Sequence, residues 1–306
     1  MRILQSVNPR PLNLLAVGPG GLVVAASDRF GAPGGAEGWD ARTGSPRWII
    51  DAKPNSFWHL SFMIGGSHLF VTGLGGERLF ALDNAGPPVE EARSNWAAEC
   101  AIADDRVFVA LSRPVVVLEC RRAPRMDTVW KRDVRSERWT GNPHFGPIAA
   151  EPAGPRFAVG VREGDTHPKQ SISVRDADTG APLVSIPFDP ASPVLQLAFT
   201  ADGSKLVVRT DGRTVHLFDA DTGTRAGELV HPGRPFVTAV AAHPGGAGAC
   251  ARTDGTVTFW DPHRREKLRT LDWKAGRLVS LAFGPDGALG AAGTEDGRVV
   301  VWDVDL

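Results

Sequence analysis

The chain has 306 residues, 42% hydrophobic and 23% charged, the balance of an ordinary globular protein. Its 34 Lys and Arg offset 35 Asp and Glu, so no global basic field draws it to nucleic acid or to an anionic membrane, and neither is an expected partner. No run approaches the roughly 18 apolar residues of a membrane helix, and the expectation is a cytoplasmic protein.

From the N-terminus, MRILQSVNPRPLNLL has no apolar stretch long enough for a signal peptide. Residues 2–7 (RILQSV) read as a lone strand ahead of a first alternating run, LNLLAV. The connection Ser27–Gly38 reads as an enlarged loop. Within it GAPGGAEG (Gly31–Gly38) is glycine-rich, but no helix or Lys follows to make it a phosphate cradle. It leads to Trp39-Asp40, the turn DARTG (Asp40–Gly44) and a further strand, PRWII. HLSF, AECAI and FGPIAA then open three similar groups. RRAPRMDTVWKRDVRSERW (Arg121 to Trp139) precedes the last of these, with seven Lys/Arg against three Asp/Glu. It reads either as the solvated edge of an outer strand or as a contact for phosphate or an acidic protein. Asp133–Pro143 and Arg162–Lys169 are two more long connections.

The pattern is cleanest over the C-terminal half. Val194 to Asp219 (VLQLAFTADGSKLVVRTDGRTVHLFD), Val237 to Asp261 (VTAVAAHPGGAGACARTDGTVTFWD) and Leu278 to Asp303 (LVSLAFGPDGALGAAGTEDGRVVVWD) share one plan. An alternating run, a Gly turn, a second run, an acidic-Gly turn and a third run end in aromatic-Asp. Such runs are antiparallel strands in a meander. Asp211-Gly212, Asp254-Gly255 and Asp296-Gly297 fall where a tight hairpin needs positive φ. DADTG (Asp176–Gly180 and Asp219–Gly223) turns into a fourth strand, as PLVSI, AGELV and KLRTL. The closing acid recurs as Asp40, Asp83, Glu119, Asp176, Asp219, Asp261 and Asp303, with gaps of 43, 36, 57, 43, 42 and 42 residues.

Four strands per forty-odd residues make one blade, which cannot bury both faces alone. The expected fold is therefore all-β: a seven-bladed β-propeller of four-stranded antiparallel blades, occupying 1–306 as a single domain. The blades fall near 9–51, 55–92, 95–133, 144–188, 193–230, 235–271 and 277–306 plus 1–7. Because the seventh blade reaches only a third strand by Leu306, residues 2–7 are expected to pair with Val299–Val304 and close the ring.

The Trp39-Asp40, Trp260-Asp261 and Trp302-Asp303 dipeptides, in register with four degenerate counterparts, resemble the WD-repeat (WD40) family over essentially the whole chain. The Gly-His pair of that family is missing from every blade, so its buried Asp-His-Ser/Thr-Trp hydrogen-bond network is expected to be incomplete. The resemblance implies a non-catalytic, monomeric scaffold presenting a loop-rich face to a protein or peptide. The alternative is a propeller enzyme or small-ligand binder using its central channel, similar to lactonases or quinoproteins.

Chemistry is sparse. G-x-S-x-G, H-E-x-x-H and G-x-x-x-x-G-K-[ST] are all absent. Cys100, Cys120 and Cys250 form no C-x-x-C pair and read as reduced structural thiols. The eight histidines show no ligand spacing; His216 sits between Val215 and Leu217 in a strand. No catalytic residue, metal site or cofactor is expected, and His59 and Glu99 are the strongly polar residues of the innermost strands. The candidate partner-binding residues are Trp58, Trp96 and Trp139, each near the start of one of three consecutive blades. Exposed, they would form an aromatic patch of the kind enriched in binding hot spots; buried, they would wedge between blades.

Overall fold

The computed structural model describes residues 1–7, 10–27, 35–51, 57–73, 76–83, 86–94, 99–111, 116–134, 137, 143–152, 154–164, 169–189, 192–230 and 233–305. Among them 28 strands form seven four-stranded antiparallel sheets, the blades of a seven-bladed β-propeller. The chain divides into two compact units, residues 1–97, 238–260 and 267–306, and residues 98–237 and 261–266.

The first unit holds four blades. Its first blade runs β2 (Leu14–Val17), β3 (Leu22–Ala26), β4 (Gly35–Asp40) and β5 (Pro46–Asp51). The second runs β6 (Phe57–Met63), β7 (His68–Gly73), β8 (Gly76–Ala81) and β9 (Val89–Ser94). The sixth comprises β22 (Val237–Ala242), β23 (Gly248–Arg252), β24 (Thr256–Asp261) and β25 (Glu266–Asp272); Val237 and residues 261–266 belong to the other unit. The seventh joins β1 (Arg2–Gln5) to β26 (Leu278–Phe283), β27 (Leu289–Thr294) and β28 (Arg298–Asp303).

The composition of β3 shows why these strands form. Val24 and Ala26 pack with Ala36 against Leu60, Leu69 and Val71 of the second blade. Val23 and Ala25 face the other way, onto Ala291, Val299 and Val301 of the seventh. A strand buried on both faces reads as a continuous apolar run rather than an alternating one. The small residues let neighbouring sheets approach, and each fully buried Val or Leu contributes about 1.5–3 kcal/mol.

The second unit holds three blades: β10 (Glu99–Ala103), β11 (Arg106–Leu111), β12 (Val117–Arg122) and β13 (Asp127–Asp133); β14 (Pro143–Ala150), β15 (Arg156–Glu163), β16 (Lys169–Asp176) and β17 (Pro182–Phe188); and β18 (Gln196–Phe199), β19 (Lys205–Arg209), β20 (Thr214–Asp219) and β21 (Arg225–Val230). Phe108 stacks on Phe157 at 4.8 Å in the core between the first two of these. Ile172, Val174 and Ile186 meet Leu197, Leu206 and Val208 between the last two.

Several expectations change in detail. The third strands end at Asp40, Ala81, Arg122, Asp176, Asp219, Asp261 and Asp303. In the second and third blades the closing position is thus Ala81 and Arg122, not Asp83 and Glu119; Glu119 lies inside β12, paired with Val109 and Lys131. Gly255 and Gly297 have φ of 84° and 85° in three-residue turns, as such hairpins require. Gly212 has no positive φ, because its connection is one residue longer and turns without a left-handed residue. Gly35–Gly38, read as loop, is the start of β4: Gly38 pairs with Trp48 and lies beneath its indole, where a side chain would collide.

The N-terminal strand does close the seventh blade, in a shorter register than expected. Arg2, Ile3, Leu4 and Gln5 pair with Val301, Val300, Val299 and Arg298. Ser6 and Val7 leave the sheet because Glu37 captures them. The Ser6 hydroxyl donates to its Oε1 at 2.5 Å and the Val7 amide to Oε2 at 3.1 Å.

Candidate partner-binding surface

In an antiparallel blade, the turn joining strands one and two shares an edge with the turn joining three and four. The connection of two to three and the passage to the next blade share the opposite edge.

The first edge is consumed by structure. Asp40 Oδ1 accepts the amides of Arg42 and Thr43, and Asp176, Asp219 and Asp261 accept the amides two and three residues on in the same way. These are Asx turns, whose carboxylates satisfy backbone donors. Hydrogen bonds from the Lys205 ammonium and from Thr222 press the Asp219 carboxyl down to about 2.

The residue before each third-strand end sits in one recurring buried position. Its occupants are Trp39, Phe80, Arg121, Arg175, Phe218, Trp260 and Trp302, none more than 9% exposed. The indole N–H groups of Trp260 and Trp302 are buried without an acceptor among the described residues. The hydrogen-bond network expected to be incomplete lacks its terminal link there. Arg121 pairs with Glu119 at 2.7 Å, which also meets Lys131. Arg175, fully buried, spans both oxygens of Glu137 at 3.0 and 2.6 Å. Arg122 faces Asp105, and Arg132 faces Glu137. Much of the basic stretch Arg121–Trp139 is therefore paired with carboxylates.

The opposite edge carries the candidate site. In β6 the register shifts between Phe57, which pairs with Gly73, and His59, which pairs with Thr72. Trp58 is the extra residue of this β-bulge, a device that re-aims a side chain. It is 40% exposed, whereas Trp39, Trp48, Trp260 and Trp302 are buried and Trp130 donates its indole N–H to the Ala177 carbonyl. Trp96 and Trp139 lie outside the described residues, as do 28–34, 135–136, 138–142 and 165–168 of the three long connections.

His59, Thr72 and Glu77 are successive cross-strand partners and share one face of the second blade. Burial pushes the His59 imidazole down to about 4, and its Nε2 has no hydrogen-bond partner among the described residues. Glu99, at the start of β10, has its carboxyl pushed up by the protein crowding it. Among the described residues no group of three or more His, Cys, Asp or Glu is placed to hold a metal ion. Burial raises the Cys120 and Cys250 thiols to about 11 and 12, and none of the three cysteines is in a disulfide.

One exposed cluster is not signalled by motif or period. Around the loop edge of the fifth blade, Leu195, Val230 and Phe236 are 44, 63 and 49% exposed. The available signal was HPGRPF, an aromatic residue following Pro in a connecting segment, where no core position calls for one.

The family model for the WD domain, G-beta repeat, matches residues 265–303, which carry three strands of the seventh blade and the strand before them. A ribosome biogenesis protein, ENP2, of Chaetomium thermophilum is 32% identical over 75 residues, 24% of this chain and 11% of that protein's length. Among solved structures, a chain of the mitotic checkpoint complex superposes with a TM-score of 0.74 at 15% identity, covering 99% of this chain and 91% of that one. Raptor of Chaetomium thermophilum superposes at 0.77 and 14% identity, covering 99% of this chain and 28% of its own. No helix is long and apolar enough to cross a membrane among the described residues.

Proposed function

We propose that this seven-bladed β-propeller, whose residues 265–303 match the WD-repeat model, is a non-catalytic interaction scaffold, acting as a single propeller and offering its loop edges to a protein or peptide. The observation that carries this reading is Trp58. A bulge turns a large aromatic side chain outward on a rigid strand, and Trp on a rigid support is the residue type that dominates binding hot spots. Trp96 and Trp139, which lie outside the described residues and precede the next two blades in sequence, are proposed as further partner-binding residues.

Other observations support parts of the proposal. A similar fold occurs in a chain of the mitotic checkpoint complex, an assembly of proteins. The ion pairs of Arg121, Arg122, Lys131 and Arg132 favour protein over nucleic acid as partner, since paired cations do not release counterions on meeting phosphate. Buried thiols outside any disulfide suit a reducing compartment such as the cytoplasm.

The test is capture from host lysate with the wild-type chain beside a Trp58→Ala variant of unchanged melting behaviour, and then a Trp58/Trp96/Trp139→Ala variant. A stoichiometric protein held by the wild type and lost from the variants is expected. Turnover of a small molecule with no protein captured would overturn the proposal.

A further inference from the structure

The loop edge of the fifth blade is built as well as exposed. The Arg209 guanidinium lies at its centre, donating from Nε to Gln196 Oε1 at 3.3 Å and from Nη1 to the Val237 carbonyl at 3.5 Å. It thereby ties Gln196 to Val237, both of this unit. Two backbone bonds brace the same place: Leu195 N–H to the Arg209 carbonyl at 2.9 Å, and Val237 N–H to the Gly212 carbonyl at 3.2 Å. Arg213 donates to the Gly233 carbonyl at 2.5 Å and holds its guanidinium carbon 5.9 Å from the centre of the Phe236 ring. Val230 pairs with Thr214 beside it.

Three apolar side chains, Leu195, Val230 and Phe236, are exposed on this edge, whose segments also carry Arg209, Arg213 and Arg234. None of these arginines forms an ion pair with a described residue, and the connections 210–213 and 231–236 contain one carboxylate, Asp211. Several other cations of this unit are matched: Arg106 with Asp178, Arg156 with Glu151, Arg175 with Glu137, Lys205 with Asp219. Burial alone lowers the Arg209 guanidinium to about 10, with no carboxylate near enough to hold it up.

We propose that this edge is a docking site for an acidic peptide segment in which carboxylates flank one apolar side chain. The apolar residue rests on Phe236 and Leu195, and the carboxylates meet Arg213 and Arg234. Arg213 is already held by a carbonyl and a ring, so a bidentate carboxylate contact orders little that is not ordered beforehand. Phosphate would satisfy the arginines but leave the apolar side chains in water, which is why a peptide is favoured over nucleic acid. This inference rests on the scaffold reading and specifies a partner class for it, at residues separate from Trp58.

The test is fluorescence anisotropy with a short labelled peptide in which glutamates flank a central leucine, and with its glutamine counterpart. The glutamate peptide is expected to bind, to weaken with added salt, and to lose about tenfold or more in affinity with Arg213→Glu or with Phe236→Ser. Both side chains are exposed, and an unchanged melt shows that each variant is folded; Arg234→Glu is the second charge reversal should Arg213→Glu unfold. Trp58→Ala is expected to leave this binding unchanged. Equal binding of the glutamine peptide would overturn the proposal. So would a single-stranded oligonucleotide that binds through Arg213 but is indifferent to Phe236→Ser. A lysate partner lost on Trp58→Ala but retained, with no glutamate-peptide binding, by Arg213→Glu and the wild type would sink the acidic-peptide site and leave the scaffold standing.

Discussion

Trp302 lies over Gly290, its cross-strand partner, so closely that a methyl group on Gly290 would fall 2.4 Å from the indole. Trp260 over Gly248 and Trp48 over Gly38 repeat the arrangement. Each pair covers a glycine that would otherwise weaken its strand. Gly290→Ala is expected to cost about 1–3 kcal/mol, because the indole is buried and also packed against Trp273, 4.5 Å between ring centres. Gly86→Ala, in open space, should change stability by less than about 0.5 kcal/mol. Urea denaturation of the two variants beside wild type checks both.

Arg175 and Glu137 give a second expectation. Burial pushes the Glu137 carboxyl up, but its bonds from Arg175 and Arg132 outweigh this and hold it below the usual range. Glu137→Ala leaves a fully buried guanidinium without its carboxylate and should cost about 3–5 kcal/mol. Arg175→Met combined with Glu137→Gln should recover most of that loss, since other blades fill the same position with Phe or Trp. A double-mutant cycle in urea reads the coupling directly.

His59 sets a pH dependence. With its imidazole near 4 in the folded chain and at an ordinary 6.5 when unfolded, the unfolded state binds more protons between those values. Stability should therefore fall as pH drops from 6.5 to 4, with a slope from this group of at most about 1.4 kcal/mol per pH unit. His59→Gln should flatten the slope in that window while the carboxylates continue to titrate. Identical slopes for variant and wild type would show that the ring is free to charge.

Closure of the seventh blade rests on Leu4, 2% exposed in the core shared by the first and seventh blades. Leu4→Ala should cost about 2–5 kcal/mol. Deleting residues 1–7 should lower the Tm further and favour self-association, since the edge of β28 is then unpaired. Calorimetry and light scattering check the two parts.

The blade count and the strand order were legible because period and alternation report burial on both faces, and the last three blades state them in full. The third-strand ends of the second and third blades were not. There the recurring buried position holds Phe80 and Arg121 instead of Trp, and no Asp follows. Acidic residues two or three positions away took its place in the pattern. An arginine in a core position is unreadable in sequence until its carboxylate is located, and Glu137 lies 38 residues from Arg175. Trp58 was visible as a residue, but its exposure depends on a one-residue register shift that no periodicity encodes. Phe236 and Arg213 meet only through the hairpin that carries one to the other.

The pairing of β1 with β28 also orders events in time. The two strands are separated by roughly 300 residues of chain, so during synthesis the first strand leaves the ribosome long before its partner exists. Six blades can assemble their sheets from consecutive segments as they emerge. The seventh cannot, and until Arg298–Val301 appears, Ile3 and Leu4 are an apolar strand in search of an edge. Closure of the seventh blade thereby waits on β28, and any edge offered to residues 2–5 before then, by another copy or by a chaperone, competes with the native one.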